Sequence, residues 1–207
     1  GGNLNRLRFL SGGRDPKKFL EDTIQKVRES ELIEIFTNSE VKSVDGYVGN
    51  FKTKIDIAGE GEREIEHGAV IVATGGFEFP TEEYNRKNAR RVVSQLEFEK
   101  MVDDGYLRGK KIENIVMINC VNSREEGREY CSRLCCAQSI KNALKVKEQR
   151  PAANVFVLYR DIRSYGLKEA DYTKARQRGV VFSRFDLEHK PGQYRPEQSL
   201  FPESWPQ

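Results

Sequence analysis

Long hydrophobic runs are missing from this sequence. The longest, AVIVA at 69–73 and NVFVLY at 154–159, are strand-sized and fall far short of the roughly 18 apolar residues that span a bilayer, so no membrane span is expected. No charged-then-apolar leader opens the chain, which starts on Gly1-Gly2 without a methionine; the expectation is a cytoplasmic protein from which an upstream segment is missing. Neither sign of charge dominates, with 35 basic residues against 32 acidic ones and the two interspersed. The compact basic cluster RKNARR at 86–91 reads as a solvated loop, and nucleic acid is not expected as a partner. Histidine is scarce, and neither His67 nor His189 has a second candidate ligand near it in sequence, which leaves both as surface groups. Cysteine is scarce as well, four in 207 residues, yet all four fall in CVNSREEGREYCSRLCC, residues 120–136.

The apolar content, 37% of residues with 10% aromatic, is enough to bury one substantial core or two small ones. Asp15-Pro16 followed by Phe19, Leu20, Ile24 and Val27 supplies an N-cap, a proline at the first helical position and an apolar stripe, predicting a helix over about 15–29. LIEIFT (32–37), EVKSVDGY (40–47) and FKTKIDI (51–57) predict short strands, the last alternating so as to expose one face. The glycines of GYVGN read as turn residues. AGEGE at 58–62 predicts a turn into REIEHGAVIVATGG, whose unalternating β-branched run predicts a strand buried on both faces. Ser94-Gln95-Leu96-Glu97 is a capping-box pattern, opening a helix over about 95–104 that ends at Gly105.

From about 109 to 186, IENIVMIN, the cysteine segment with AQSIKNALKVKEQ, NVFVLYRD, EADYTKARQRG and VVFSRF give a β-α-β-α-β order. Strands alternating with helices of this length pair in parallel through right-handed crossovers, as in half of a doubly wound nucleotide-binding fold. The fold class expected is α/β, a parallel sheet with a small β-meander in a two-domain arrangement. The boundaries expected are 1–106, 107–188 and an irregular tail over 189–207, where four of the seven prolines fall without periodicity.

In a dinucleotide-binding βαβ unit the first turn carries glycines, because the backbone must approach a pyrophosphate at the helix N-terminus. Here that turn has Cys120, a charged loop, and then Cys131, Cys135 and Cys136 opening the helix. Several readings stay open. Buried cysteines used as small hydrophobes would scatter through a core, and structural disulfides fit poorly with a cytoplasmic location. A four-thiolate zinc site usually shows two C-x2-4-C knuckles, which C-x10-C-x3-C-C lacks. An iron–sulfur cluster tolerates irregular spacing and gains from the partial positive charge of a helix N-terminus. A redox-active dithiol at Cys135-Cys136 is the remaining case. YRDIRSYG at 159–166 leaves a strand at the end where open α/β sheets hold ligands, so Arg160, Arg163 and Tyr165 are candidates to face a cofactor or a docking partner.

The order of GGNLNRLRF, GYVGNF, VIVATGG, SQLEFE, YCSRLCC and GVVFSRF over about residues 1–188 resembles the A-type flavoprotein of heterodisulfide reductase and its relatives in anaerobic archaea and bacteria. The resemblance implies a Rossmann-like, thioredoxin-reductase-like module of an oxidoreductase that passes electrons between FAD, [4Fe-4S] clusters and partner subunits, in some members splitting electron pairs. Cys120, Cys131, Cys135 and Cys136 match its cluster ligands. Gly1-Gly2 resemble the glycine pair after its first βαβ unit, Thr74-Gly75-Gly76 the end of a late strand beside the flavin, and Val41 the segment whose backbone meets adenine. No side chain is expected to be catalytic. Expected partners are other heterodisulfide reductase-type subunits and an electron-donating hydrogenase or dehydrogenase. The chain departs from the family pattern in two places. The Gly-rich first βαβ unit is absent, so the chain alone should bind FAD poorly, and the sheet edge left open invites a homodimer. The C-x2-C-x2-C modules are absent too. The competing expectation is a non-catalytic zinc-binding scaffold or docking domain, and a third is a pyridine-nucleotide-dependent dithiol oxidoreductase.

Overall fold

The computed structural model describes residues 2–108 and 112–192. Gly1 and most of the expected tail lie outside the described residues. The chain separates into two compact units, one of residues 1–17 with 77–207 and one of residues 18–76. The fold class is mixed α/β, with a three-stranded parallel sheet in the first unit and a three-stranded antiparallel sheet in the second.

The antiparallel sheet is a meander of β1 (Ser39–Tyr47), β2 (Asn50–Ile57) and β3 (Gly61–His67), with Val44 opposite Thr53 and Thr53 opposite Ile65. Thr53, Ile55 and Ile57 are buried while their neighbours Lys52 and Lys54 are exposed, the period-2 pattern of a half-covered strand. Gly46 must be glycine, since at φ +101 any Cβ would strike the Asn50 carbonyl across the hairpin. His67 bridges this sheet, its ring bonded to Thr53 Oγ1 at 2.7 Å and to the Ala69 carbonyl at 2.9 Å.

Two expected strands do not form. Residues 32–37 and 69–74 have no regular structure, and Leu32 and Ile71 are 96% and 89% exposed. β-branched composition suits a strand, but backbone groups pair only where a neighbouring strand exists, and among the described residues none lies beside these segments.

Helix α1 (Gly2–Arg6) is short, and α2 (Pro16–Glu29) begins at the expected proline, with Asp15 accepting from the Lys17 N–H at 2.8 Å. The parallel sheet has the order β4 (Asn114–Ile118), β5 (Asn154–Tyr159), β6 (Val180–Arg184), joined by α4 (Cys135–Gln149) and α5 (Glu169–Gln177). Register runs from Asn114 opposite Asn154 to Ile118 opposite Leu158. One face, carrying Met117, Val155, Val157 and Val180, packs under the α4 stripe of Ile140, Ala143 and Val146 and against Ala175 of α5. The stripe recurs every three to four residues, as a helix on a sheet requires.

Helix α3 (Gln95–Asp103) starts with the expected capping box, Ser94 Oγ accepting from the Glu97 N–H and Glu97 from the Ser94 N–H. Its Glu99 is fully buried and accepts from the Arg8 N–H at 2.6 Å, the Phe9 N–H at 3.3 Å and Lys141 Nζ at 2.7 Å. Lys141 also donates to the Phe9 carbonyl at 2.9 Å. Removing one partner from a buried pair strands the other, so Glu99→Ala should lower stability in urea by about 3–5 kcal/mol, with the Glu99→Ala/Lys141→Ala double variant losing less than the sum of the singles.

Burial pushes the Glu97 carboxyl up, but hydrogen bonds from Ser94 and Arg86 outweigh it and hold the group below its ordinary 4.5. A carboxyl held low in the fold stabilises above its ordinary value, and that contribution is lost as pH falls through the lowered one. Glu97→Gln should therefore cost stability at neutral pH, and the deficit should shrink when melting is followed below pH 4.5.

Candidate metal centre

Cys120 follows β4 after Asn119, and Cys135 and Cys136 open the first turn of α4. The thiols thus sit at the C-terminal end of a parallel strand, where open α/β sheets hold ligands. Cys136 belongs to the buried stripe of α4 and is 1% exposed, whereas Cys120, Cys131 and Cys135 are half-buried. All four are free thiols.

Three of them, Cys120, Cys135 and Cys136, lie close enough to shift one another's ionisation. Bonding to Cys135 and burial together push the Cys120 thiol far up, opposed by the N–H groups of Arg160 and Asp161. Cys135 is favoured as a thiolate by its bond with Cys120, but donation to Cys136 and burial outweigh that and raise it. Cys136 collects the benefit: the bond from Cys135, helped by the Arg163 N–H, overcomes burial and brings its thiol down to about 7. When protonated, Cys136 has an acceptor in the Asp161 carbonyl, 3.6 Å from its sulfur. Cys131 stands apart, its sulfur accepting from the Arg133 N–H at 3.3 Å. Among the described residues no group of three or more His, Cys, Asp or Glu side chains is already gathered to hold an ion.

The loop between the thiols is tightly tied. Cys120, Asn122, Arg124 and Arg133 take φ values of +61, +48, +62 and +59, each costing a non-glycine residue about 1–2 kcal/mol. Such conformations persist only when their surroundings impose them. Here Arg160 Nη1 donates to the carbonyls of Ser123 and Arg124, Asn122 Nδ2 to Glu83 at 2.8 Å, and Ser123 Oγ to the Tyr130 carbonyl at 2.8 Å. Asp161 binds Arg124 at 3.2 Å and Arg163 at 3.5 Å. Arg160 thus holds the loop and Arg163 braces Asp161, while Tyr165 is 63% exposed.

The donor set fits a thiolate-ligated cofactor. Thiolates are the ligands that iron–sulfur clusters and zinc both take. Leu134 at the helix N-cap offers no side-chain acceptor, leaving the first-turn N–H groups for a negatively charged neighbour. Arg124 Nη1 is a buried cationic donor without a partner.

Two residues of this site carry no sequence signal. Asn119, 2% exposed, donates through Nδ2 to Ser139 Oγ at 3.0 Å, and Ser139, fully buried, donates to the Cys136 carbonyl at 3.0 Å. Asn119 Oδ1 is buried without a partner, a cost of about 1–3 kcal/mol.

The flavin candidates lie elsewhere. Val41 is 59% exposed on β1, beside a register irregularity, and Thr74, Gly75 and Gly76 are exposed in the segment without regular structure. Gly75 has φ +76, and Gly2 begins α1. Val41 and Thr74 to Gly76 belong to the unit of residues 18–76, the cysteines to the other.

Known proteins share this cysteine-bearing chain over much of its length. It is 37% identical over 142 aligned positions to the iron-sulfur polypeptide A1 of the CoB--CoM heterodisulfide reductase of Methanopyrus kandleri, covering 59% of this chain and 21% of that protein. The chain is homologous to the A-type polypeptide of heterodisulfide reductase. The corresponding A-type polypeptide of the H(2):CoB-CoM heterodisulfide,ferredoxin reductase of Methanothermobacter thermautotrophicus is 38% identical over 139 positions, with the same coverage. That of the Ferredoxin/F(420)H(2)-dependent CoB-CoM heterodisulfide reductase of Methanosarcina acetivorans is 35% identical over 138 positions, 59% of this chain and 17% of that protein. The chain therefore spans about a fifth of the length of the curated relatives it matches. No family model matches it. Among the described residues no helix is long and apolar enough to cross a membrane.

The side chain that holds the loop gives a direct test. Arg160→Ala should remove about 1.5–3 kcal/mol of charge-assisted hydrogen bonding from the loop. Hydrogen exchange at residues 121–130 should quicken while the amides of β4 and β5 keep their protection.

Proposed function

We propose that the chain is an electron-transfer segment of an oxidoreductase of the heterodisulfide reductase A type, and that Cys120, Cys131, Cys135 and Cys136 ligate an iron–sulfur cluster of the [4Fe-4S] type. The observation that carries this reading is the donor set: every cysteine of the chain stands at or near one strand-to-helix junction, in a chain similar to a protein whose name calls it iron-sulfur. Such a cluster supplies one-electron exchange without proton transfer by side chains.

The chain's own residues provide soft anionic ligands and tune them. The Cys136 thiol is lowered to about 7, and the N–H groups of Arg160, Asp161 and Arg163 favour ionised sulfur at Cys120 and Cys136. Hydrogen bonds to sulfur favour the more negative, reduced form and so raise a potential. Burial of Cys136 keeps water from one side of the ligand set.

FAD belongs to the proposal for the complete protein, held beside Gly1, Gly2, Val41, Thr74, Gly75 and Gly76. A Cβ built at Gly75 or Gly76 would meet nothing, so the backbone there is open to close approach. Functionally the chain divides into a flavin part over 1–106, a cluster part over 107–188 and a tail; this division follows cofactors, whereas the two compact units follow packing. The names of the relatives speak of H(2), formate and ferredoxin. In keeping with them, the partners proposed here are other heterodisulfide reductase-type subunits and an electron-donating hydrogenase or dehydrogenase, in the cytoplasm.

Anaerobic reconstitution with iron and sulfide tests the reading. The expected result is about four irons and four acid-labile sulfides per chain, with an EPR signal on reduction. Cys131→Ser should lower the iron count or change the signal. Stoichiometric zinc uptake without iron, or an unaltered four-iron spectrum in Cys131→Ser, would overturn it.

A further inference from the structure

Asn119 and Ser139 are not explained by space filling. Leucine has the same branching as Asn119 and would spare the unpartnered Oδ1; what it cannot do is hold the Ser139 hydroxyl. The two residues sit on the two elements that carry thiols. Asn119 is the residue before Cys120, and its own N–H extends the β4–β5 ladder by donating to the Leu158 carbonyl at 2.8 Å. Ser139 lies one turn beyond Cys135 and Cys136, and its hydroxyl reaches back to the Cys136 carbonyl at 3.0 Å. The bond from Asn119 Nδ2 to Ser139 Oγ, also 3.0 Å, therefore links the end of β4 to the first turn of α4 beneath the thiols, where no water competes for it.

We propose that Asn119 and Ser139 are positioning residues: their buried hydrogen bond clamps the end of β4 to the start of α4 and so sets the separation of Cys120 from Cys135 and Cys136 in the folded chain before any cofactor arrives. The proposal rests on the reading of these cysteines as one ligand set. Its benefit is preorganisation, because ligands ordered by folding need not be ordered during binding. Core packing of β4 under α4 and the ties of the loop bring the two elements together, and the clamp sets how Cys120 meets the first turn of α4.

The metal-free, fully reduced chain reports the clamp directly. Diamide takes two electrons and two protons from a pair of thiols, forming one S–S bond and becoming the hydrazine, and the rate at which Cys120 joins Cys135 measures how closely the two are held. Mass spectrometry of proteolytic peptides follows that bond. In Asn119→Leu/Ser139→Ala, which replaces both polar partners with apolar groups and so tends to spare stability, the bond should form about tenfold more slowly, equivalent to about 1.4 kcal/mol of lost orientation. Should that variant fail to fold by circular dichroism, Ser139→Ala, which removes only the hydroxyl, is expected to slow the bond in the same direction. An unchanged rate in the folded variant overturns the clamp. Because no iron is present in this assay, a slowed bond in a chain that takes up no iron would sustain the clamp and overturn the cluster reading alone.

Discussion

A carboxylate with no exposed surface must be answered by several donors at once, and the packing around the cysteines follows from how Glu99 is answered. Its partners come from two places in the chain: the N–H groups of Arg8 and Phe9 after α1, and Lys141 with Gln138 on α4. None of these can move without leaving a charge or a donor unpaired in a dry site. Helix α3, helix α4 and the segment after α1 are thereby fixed together. A buried pair of this kind contributes little net stability over an apolar alternative; its value lies in rejecting other arrangements. Here it ties α4 to α3 through Lys141, while the apolar stripe of Ile140, Ala143 and Val146 turns Cys136 inward.

The junction built on that helix trades backbone strain for placement of sulfur. Left-handed residues at 120, 122 and 124 coil the chain tightly after β4, and a web of guanidinium and amide bonds from Arg160, Asn122 and Asp161 holds them there. The grouping of thiols is the chemical outcome. Of Cys120, Cys135 and Cys136, protons are held most tightly at Cys120 and least at Cys136, so these thiols differ in how readily they ionise although they are the same residue type.

Much of the parallel unit could be read in advance. The β4-α4-β5-α5-β6 order follows from alternation of β-branched runs with helical stripes, and the capping box at Ser94 is a local signal with a local cause. Grouping of the cysteines was equally plain. Residues 32–37 and 69–74 show the limit, because residue type records what suits a strand and not whether a neighbour is there to pair with. Glu99, Asn119, Ser139 and Asn142 show another. A polar side chain in a core is meaningful only through partners distant in sequence, as when Asn142 reaches back to Gln95, and no spacing rule announces them. The graded ionisation of the thiols likewise depends on the β5 exit and was invisible in C-x10-C-x3-C-C.

The chain leaves the cysteine-bearing unit at residue 17 and returns to it at 77, and the bond from Lys141 to Phe9 spans 132 residues. Contacts so far apart close slowly, because the entropy of the intervening chain is surrendered before they form. The meander of β1 to β3 has only short hairpins to close, so its own contacts carry little of that cost. The unit that holds all the thiols is the one that bears the longer loops, because the small sheet is inserted within its sequence.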